Sequence, residues 1–314
     1  MRGNTLKLEL NRKYGISVDV IRLTSDFCAS VYLLHAAGKK YIFKLHRNFD
    51  TEIAIQSANI MDYLTKQSFP AAAIVPTKNG HLTIMVGDRT GTLFEYVDGT
   101  MGYDLDFGSF AAEMGETMAR LHSAMAQYDK PLLQYGREHY AGRCIHVMKK
   151  LNYSPSKIDE LDAFGDALWK IASRTKPGFC HGDLNPSNFI KTPDNQYVLF
   201  DFDCGGMAYP INDISTICNV TYSFEQFDIK AYDEPLKRLS LLKQGYEKHR
   251  KLDDDDLSAV LAFIGLNCYW MIAQFDKYRT PLEGRNWLSK DYFDMHYNWL
   301  MSWKECLQRN MQII

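Results

Sequence analysis

Apolar and polar positions alternate early in the chain. In Tyr41-Ile42-Phe43-Lys44-Leu45, the residues Tyr41, Phe43 and Leu45 share one face and Lys44 points to the other, the period-two pattern of a half-buried strand. Val31 to Leu34 is a second strand-like run, and Ala36-Ala37-Gly38-Lys39 between them predicts a hairpin turn. The period then changes. Over residues 51–66, Ile53, Ser57, Ile60 and Leu64 follow one helical face. Strands are predicted at 81–86 and 92–97, after the Asn79-Gly80 turn and before Asp98-Gly99. Phe110, Met114, Met118, Leu121 and Met125 mark an amphipathic helix with Ser109 as its cap. A second hairpin runs from Phe189-Ile190 through Pro193-Asp194-Asn195 to Tyr197-Val198-Leu199-Phe200. Residues 257–275 approach the length and apolarity of a membrane span, yet Asn267 and Gln274 interrupt them. A buried helix is the expectation there, with Asp253 to Asp256 as a solvated start that suits the positive end of the helix dipole.

At 314 residues and 46% hydrophobic, the chain exceeds one small domain, so two lobes are predicted: a sheet-rich lobe at 1–97 and a mainly helical lobe at 98–314. The formal charge of −2 supplies no net pull toward nucleic acid, and neither a nucleic-acid nor a membrane partner is expected. Residues 1–14 mix Arg, Lys, Glu and Asn with isolated leucines and do not read as a signal peptide. The seven cysteines show neither zinc-site clustering nor the framework of a small secreted domain, which points to a reducing cytoplasm. Cys180 and Cys204 flank the segment considered next and are expected to pack as small hydrophobes.

That segment carries the chemistry. His181-Gly182-Asp183 is followed by Asn188 five residues after the aspartate, and the strand Tyr197 to Phe200 ends at Asp201. Gly182 and Pro186 keep the loop out of a helix, so Asp183 and Asn188 can face different ways, and the hairpin would bring Asp201 beside Asn188. The order suits phosphoryl transfer from a Mg²⁺-bound nucleotide: Asp183 accepts the proton of an attacking hydroxyl, while Asn188 and Asp201 hold the metal. Asp203 is a further candidate ligand.

His181-Gly182-Asp183-Leu184-Asn185-Pro186-Ser187-Asn188 and Leu199-Phe200-Asp201-Phe202-Asp203 resemble the catalytic loop and metal-binding segment of the aminoglycoside phosphotransferase and choline kinase-like family, relatives of the protein kinases. The resemblance spans nearly the whole chain. It implies a bilobal α+β protein kinase-like fold, ATP as phosphoryl donor, Mg²⁺ as cofactor, and a small-molecule hydroxyl as acceptor. Amino alcohols, homoserine, choline, sugars and aminoglycosides all stay open as that acceptor. It also implies that Lys44 contacts nucleotide phosphates, that main-chain groups near Glu95 and Val97 receive the adenine edge, and that Asp213 braces the catalytic loop. A plain edge strand is the other reading of 92–97, and a helix N-cap that of Asp213.

Two departures stand out. The family's helix glutamate falls near Ser57, so Lys44 is left with Glu52, Asp62 or no partner, and the turn Thr24 to Ser30 contains no glycine, so hydroxyls would have to serve there. Both departures motivate a non-catalytic nucleotide-binding module as one alternative. A protein kinase on the same scaffold is the other. His122 is expected to be a hydrogen-bonded core histidine. Tyr292, His296, Trp299 and Trp303 fall on one helical face and are expected to pack, with a cation–π amine site as the other reading. Glu283, Asp291 and Asp294 are candidate partners for an amino group.

Overall fold

The first hairpin becomes the middle of an antiparallel sheet. In the computed structural model, which describes residues 3–221, 228, 231–278 and 290–311, β1 (Val18–Asp26), β2 (Ala29–Ala36), β3 (Lys39–His46), β4 (Thr83–Val86) and β5 (Arg89–Glu95) pair in the order β1-β2-β3-β5-β4. Ala36 pairs with Lys39, and the two turn residues Ala37 and Gly38 both have positive φ, 48° and 76°, the hand that matches strand twist. Phe43 and Leu45 are buried with Leu34 and Leu93. Helix α1 (Gly3–Tyr14) covers this face with Leu6, Leu10 and Tyr14, a four-residue repeat. Helix α2 (Thr51–Lys66) forms where the helical period predicted it and buries Gln56, Ser57, Ile60 and Leu64.

The chain divides into two compact units. Met1–Leu105, Gln127–Lys130 and Pro186–Gly205 make up the first, and Asp106–Ala126, Pro131–Asn185 and Gly206–Ile314 the second. Within the first unit, β6 (Thr100–Met101), β8 (Phe189–Lys191) and β9 (Tyr197–Leu199) form a small sheet in the order β6-β8-β9. Gly99, at φ +154°, lets the chain enter β6, since a Cβ there would strike Lys191 O and the Ile190 side chain.

The second unit is mainly helical. Its elements are α3 (Phe107–Met125), a π-helical turn at Glu138–Gly142 running into α4 (Arg143–Lys150), α5 (Pro155–Ala172), β7 (Gly178–Cys180), β10 (Gly206–Ala208), α6 (Ile211–Cys218), α7 (Glu234–Tyr246), α8 (Asp254–Tyr278) and α9 (Lys290–Met311). The methionine face of α3 is buried as its spacing predicts. Its cap differs: Asp106 is the N-cap and accepts from Ser109 N at 3.2 Å, while Ser109, inside the first turn, donates its Oγ to Asp106 O at 2.6 Å. Helix α8 is long and apolar enough to cross a membrane, but 67% of its apolar window is buried inside the protein. The α9 aromatics are core. Trp299 and Trp303 stack at 5.3 Å, and Trp303 Nε1 donates to Leu261 O at 3.3 Å. Asp294 accepts from Tyr153 Oη at 2.5 Å, Asp291 is exposed, and Glu283 lies outside the described residues.

Candidate active site

Alternation along β3 puts Lys44 and His46 on the face opposite Phe43 and Leu45, and both reach the segment after β9. Lys44 Nζ lies 2.7 Å from Asp201 Oδ1 and 2.6 Å from Asp203 Oδ2, while His46 Nε2 lies 2.9 Å from Asp203 Oδ2. These aspartates are the lysine's partners. Asp62 is taken by Lys66 at 2.7 Å, and α2 contributes Gln56, whose Nε2 donates to Gly205 O at 2.7 Å and so anchors the chain just past Asp203. Burial works to lower the Lys44 pKa, but Asp201 and Asp203 outweigh it and hold the ammonium well above its ordinary value. For Asp203, burial works upward and is overcome by Lys44 and His46, which keep the carboxyl well below the usual carboxylate range.

The β8–β9 register pairs Phe189 with Leu199, and Phe200 N donates to Asn188 O at 3.1 Å, so Asn188 and Phe200 lie side by side where the two strands end. Asn188 is buried. Asp201 follows in the left-handed region, φ 63° and ψ 57°, a conformation uncommon outside glycine that turns the chain sharply before fully buried Phe202. Asp203 Oδ1 is buried with no hydrogen-bond partner, an acceptor turned toward nothing the protein itself supplies. Asn188, Asp201 and Asp203 offer only hard oxygen atoms, which fits Mg²⁺. Among the described residues no cluster of three or more His, Cys, Asp or Glu side chains could hold a metal ion by itself.

Asp183 belongs to the second unit, on the loop after β7. Gly182 turns that loop at φ +80°. The loop hangs on Asp213: His181 N donates to Oδ2 at 2.8 Å and Gly182 N to Oδ1 at 2.9 Å. Asp213 therefore braces the loop from within α6, whose N-cap is Pro210. His122 Nε2 lies 3.0 Å from Asp213 Oδ2, and its Nδ1 lies 2.9 Å from Tyr246 Oη, with the His122 and Asp213 side chains both at 0% exposure. Asn185 Nδ2 donates to Asp183 Oδ1 at 2.8 Å and fixes the carboxylate's orientation.

Glu95 ends β5, where its N–H donates to Ala73 O at 2.9 Å, and Val97 follows beyond the strand. Two hydroxyls of the β1–β2 hairpin are engaged within the sheet. Thr24 Oγ1 donates to Val31 O at 3.0 Å, and Ser30 Oγ donates to Asp26 at 2.7 Å while accepting from Arg89 at 2.8 Å. Sequence reasoning missed His46, Gln56 and Arg89. The one available signal was the two-residue step that sets His46 on the Lys44 face.

Residues 19–252 match the model of the phosphotransferase enzyme family. An uncharacterized protein of Deinococcus radiodurans is 27% identical over 310 residues, covering 94% of this chain and 88% of that protein. Among solved structures, an amicoumacin kinase in complex with AMP-PNP, Ca²⁺ and Ami has a TM-score of 0.77 at 18% identity, covering 97% of this chain and 94% of that one. A microcompartment-associated aminopropanol kinase has a TM-score of 0.75 at 18% identity, with 99% and 98% covered. A choline kinase from Cryptosporidium parvum has a TM-score of 0.65 at 13% identity, with 99% and 97% covered. The fold is thus the bilobal α+β kinase-like fold, with β1–β5 in its sheet-rich lobe and α3–α9 in its helical lobe.

Proposed function

This chain belongs to the phosphotransferase enzyme family, and from that premise we propose that it is a small-molecule kinase, transferring the γ-phosphoryl group of ATP to a hydroxyl with Mg²⁺ as cofactor. The observation that carries the reading is Lys44 bound to Asp201 and Asp203 while Asp203 Oδ1 stays buried without a partner. A lysine and two carboxylates gathered in this way are what a metal–phosphate group requires. Asn188, Asp201 and Asp203 hold Mg²⁺, which when bound neutralises charge on the nucleotide's phosphate oxygens. Lys44 steadies the phosphates, and main-chain groups near Glu95 and Val97 take the adenine edge. Asp183, oriented by Asn185, aligns the acceptor hydroxyl and takes its proton as the acceptor oxygen bonds to phosphorus and the bond to ADP breaks. The similar structures named for aminopropanol and choline kinases make amino alcohols the first acceptors to try. A cytoplasmic site of action suits the seven free cysteines.

The test is Mg²⁺-dependent ADP release against a panel of amino alcohols, homoserine, sugars and aminoglycosides. One acceptor is expected to raise release well above the acceptor-free rate, and Asp183→Ala to cut single-turnover rates by roughly 10²–10⁴. Unchanged turnover in that variant sinks the role of Asp183. Nucleotide binding with no acceptor-stimulated release points to a non-catalytic module.

A further inference from the structure

The second unit contains a cavity of about 280 Å³ that the proposed chemistry does not use. Pro210, Ile211 and Leu252 supply its apolar surface, Lys176, Arg250 and Lys251 its cations, and Asp256 its one acidic group. Tyr246, only 2% exposed, completes the lining. Three cations against one carboxylate favour an anion, and burial pushes the Asp256 carboxyl up, which weakens its competition for them. Guanidinium and ammonium groups together suit phosphate or phosphonate oxygens. The volume lies just below that of drug-sized ligand sites, which begin near ~300 Å³, so only a small organic body fits beside the charged group.

The Arg250 guanidinium and Tyr246 line the same cavity, and its positive charge works to lower the Tyr246 pKa, which makes that hydroxyl a better donor. That hydroxyl lies 2.9 Å from His122 Nδ1, and His122 Nε2 lies 3.0 Å from Asp213 Oδ2. Asp213 in turn accepts from His181 N and Gly182 N, immediately before Asp183. A histidine nitrogen facing a carboxylate is the donor, so Nδ1 accepts from Tyr246, and both bonds in the relay point the same way: Tyr246 to His122 to Asp213.

We propose that this cavity is a regulatory site for a small phosphate- or phosphonate-bearing molecule, and that its occupancy loosens the loop carrying Asp183. An anion that engages the Arg250 guanidinium neutralises the charge beside the Tyr246 hydroxyl and makes it a weaker donor to His122. A hydrogen-bond chain weakens along its length when its first donor weakens.

Phenylphosphonate is the probe, because it has an apolar ring and no hydroxyl to be phosphorylated. Calorimetric titration at chloride-matched ionic strength is expected to show saturable binding to the wild type and to Asp201→Asn. Affinity is expected to fall at least tenfold in Arg250→Gln/Lys251→Gln and in Lys176→Glu, where Lys176 and Lys251 are exposed and Arg250 is half-buried. Hydrogen exchange at the His181 and Gly182 amides is expected to quicken several-fold when the wild type is saturated. Tyr246→Phe is expected to bind the probe without that response. Absent saturable binding, equal affinity in the charge variants, or loss of binding in Asp201→Asn overturns the site. Unaltered or slower amide exchange in the saturated wild type, or a response that survives in Tyr246→Phe, overturns the coupling.

Discussion

Replacing Asp213 by Asn tests whether one buried carboxylate holds the loop that carries Asp183. The carboxylate accepts from His181 N at 2.8 Å, from Gly182 N at 2.9 Å and faces His122 Nε2 at 3.0 Å, using both oxygens. An amide has one oxygen. Whichever way it is turned, its NH₂ group meets a donor. Losing a hydrogen bond to a charged acceptor costs about 1.5–3 kcal/mol, and a stranded buried N–H costs about 1–3 more, so a loss of roughly 3–5 kcal/mol is expected. At roughly 2–4 °C per kcal/mol for a domain of this size, Tm falls by about 6–20 °C. The loop shift also misplaces Asp183, and a displacement near 1 Å costs on the order of 10²-fold in turnover. Calorimetry and amide exchange at His181 and Gly182 read the stability term, and single-turnover kinetics reads the catalytic term. Nucleotide affinity is expected to stay near wild type, because the lysine and aspartates proposed to hold the nucleotide and its metal belong to the first unit. A variant with wild-type Tm, wild-type exchange at those two amides and wild-type turnover refutes the reasoning.

Other perturbations follow from the same geometry. Lys44→Met removes the cation from Asp201 and Asp203, so metal-free stability should fall by about 1–3 kcal/mol, and Mg²⁺ should raise Tm more in the variant than in the wild type. An equal or smaller Mg²⁺ effect would show that lysine and metal do not share these carboxylates. His296 is pushed down by burial to about 4 from an ordinary 6.5, so it stays neutral in the fold while the unfolded chain takes up a proton. Its contribution is fully present above pH 6.5 and is lost as pH falls toward 4, at up to about 1.4 kcal/mol per pH unit. His296→Gln should flatten the pH dependence of urea unfolding across that window, and an unaltered slope would count against it. Gly245→Ala should cost about 1–3 kcal/mol in denaturant unfolding, because its methyl would run into Ala112 O where α3 and α7 cross, and a neutral result would mean the helices can separate freely.

Short-range order was legible in residue order. The β2–β3 hairpin, the bounds of α2, the methionine face of α3 and the β8–β9 hairpin each depend on periodicity or turn residues within about twenty positions. The cap of α3 was misread because Asp106 and Ser109 are both good caps, and only the direction of the bonds between them distinguishes them. Helix α1 went unread. Its leucines are isolated in a polar stretch, and their four-residue spacing has meaning only once a sheet face lies beneath them.

The amino-acid order by itself determined which groups could do chemistry and which local turns would carry them, since loop residues and strand periods are set by neighbours. Tertiary structure alone decided which of those groups meet. Lys44 finds Asp201 and Asp203 more than 150 positions away, and Asp213 receives His122 from 91 positions away. No local spacing encodes such pairs, because they form only after apolar faces on β3, α2, α3 and α6 have been buried and a low-dielectric surrounding makes each unmet charge or donor costly.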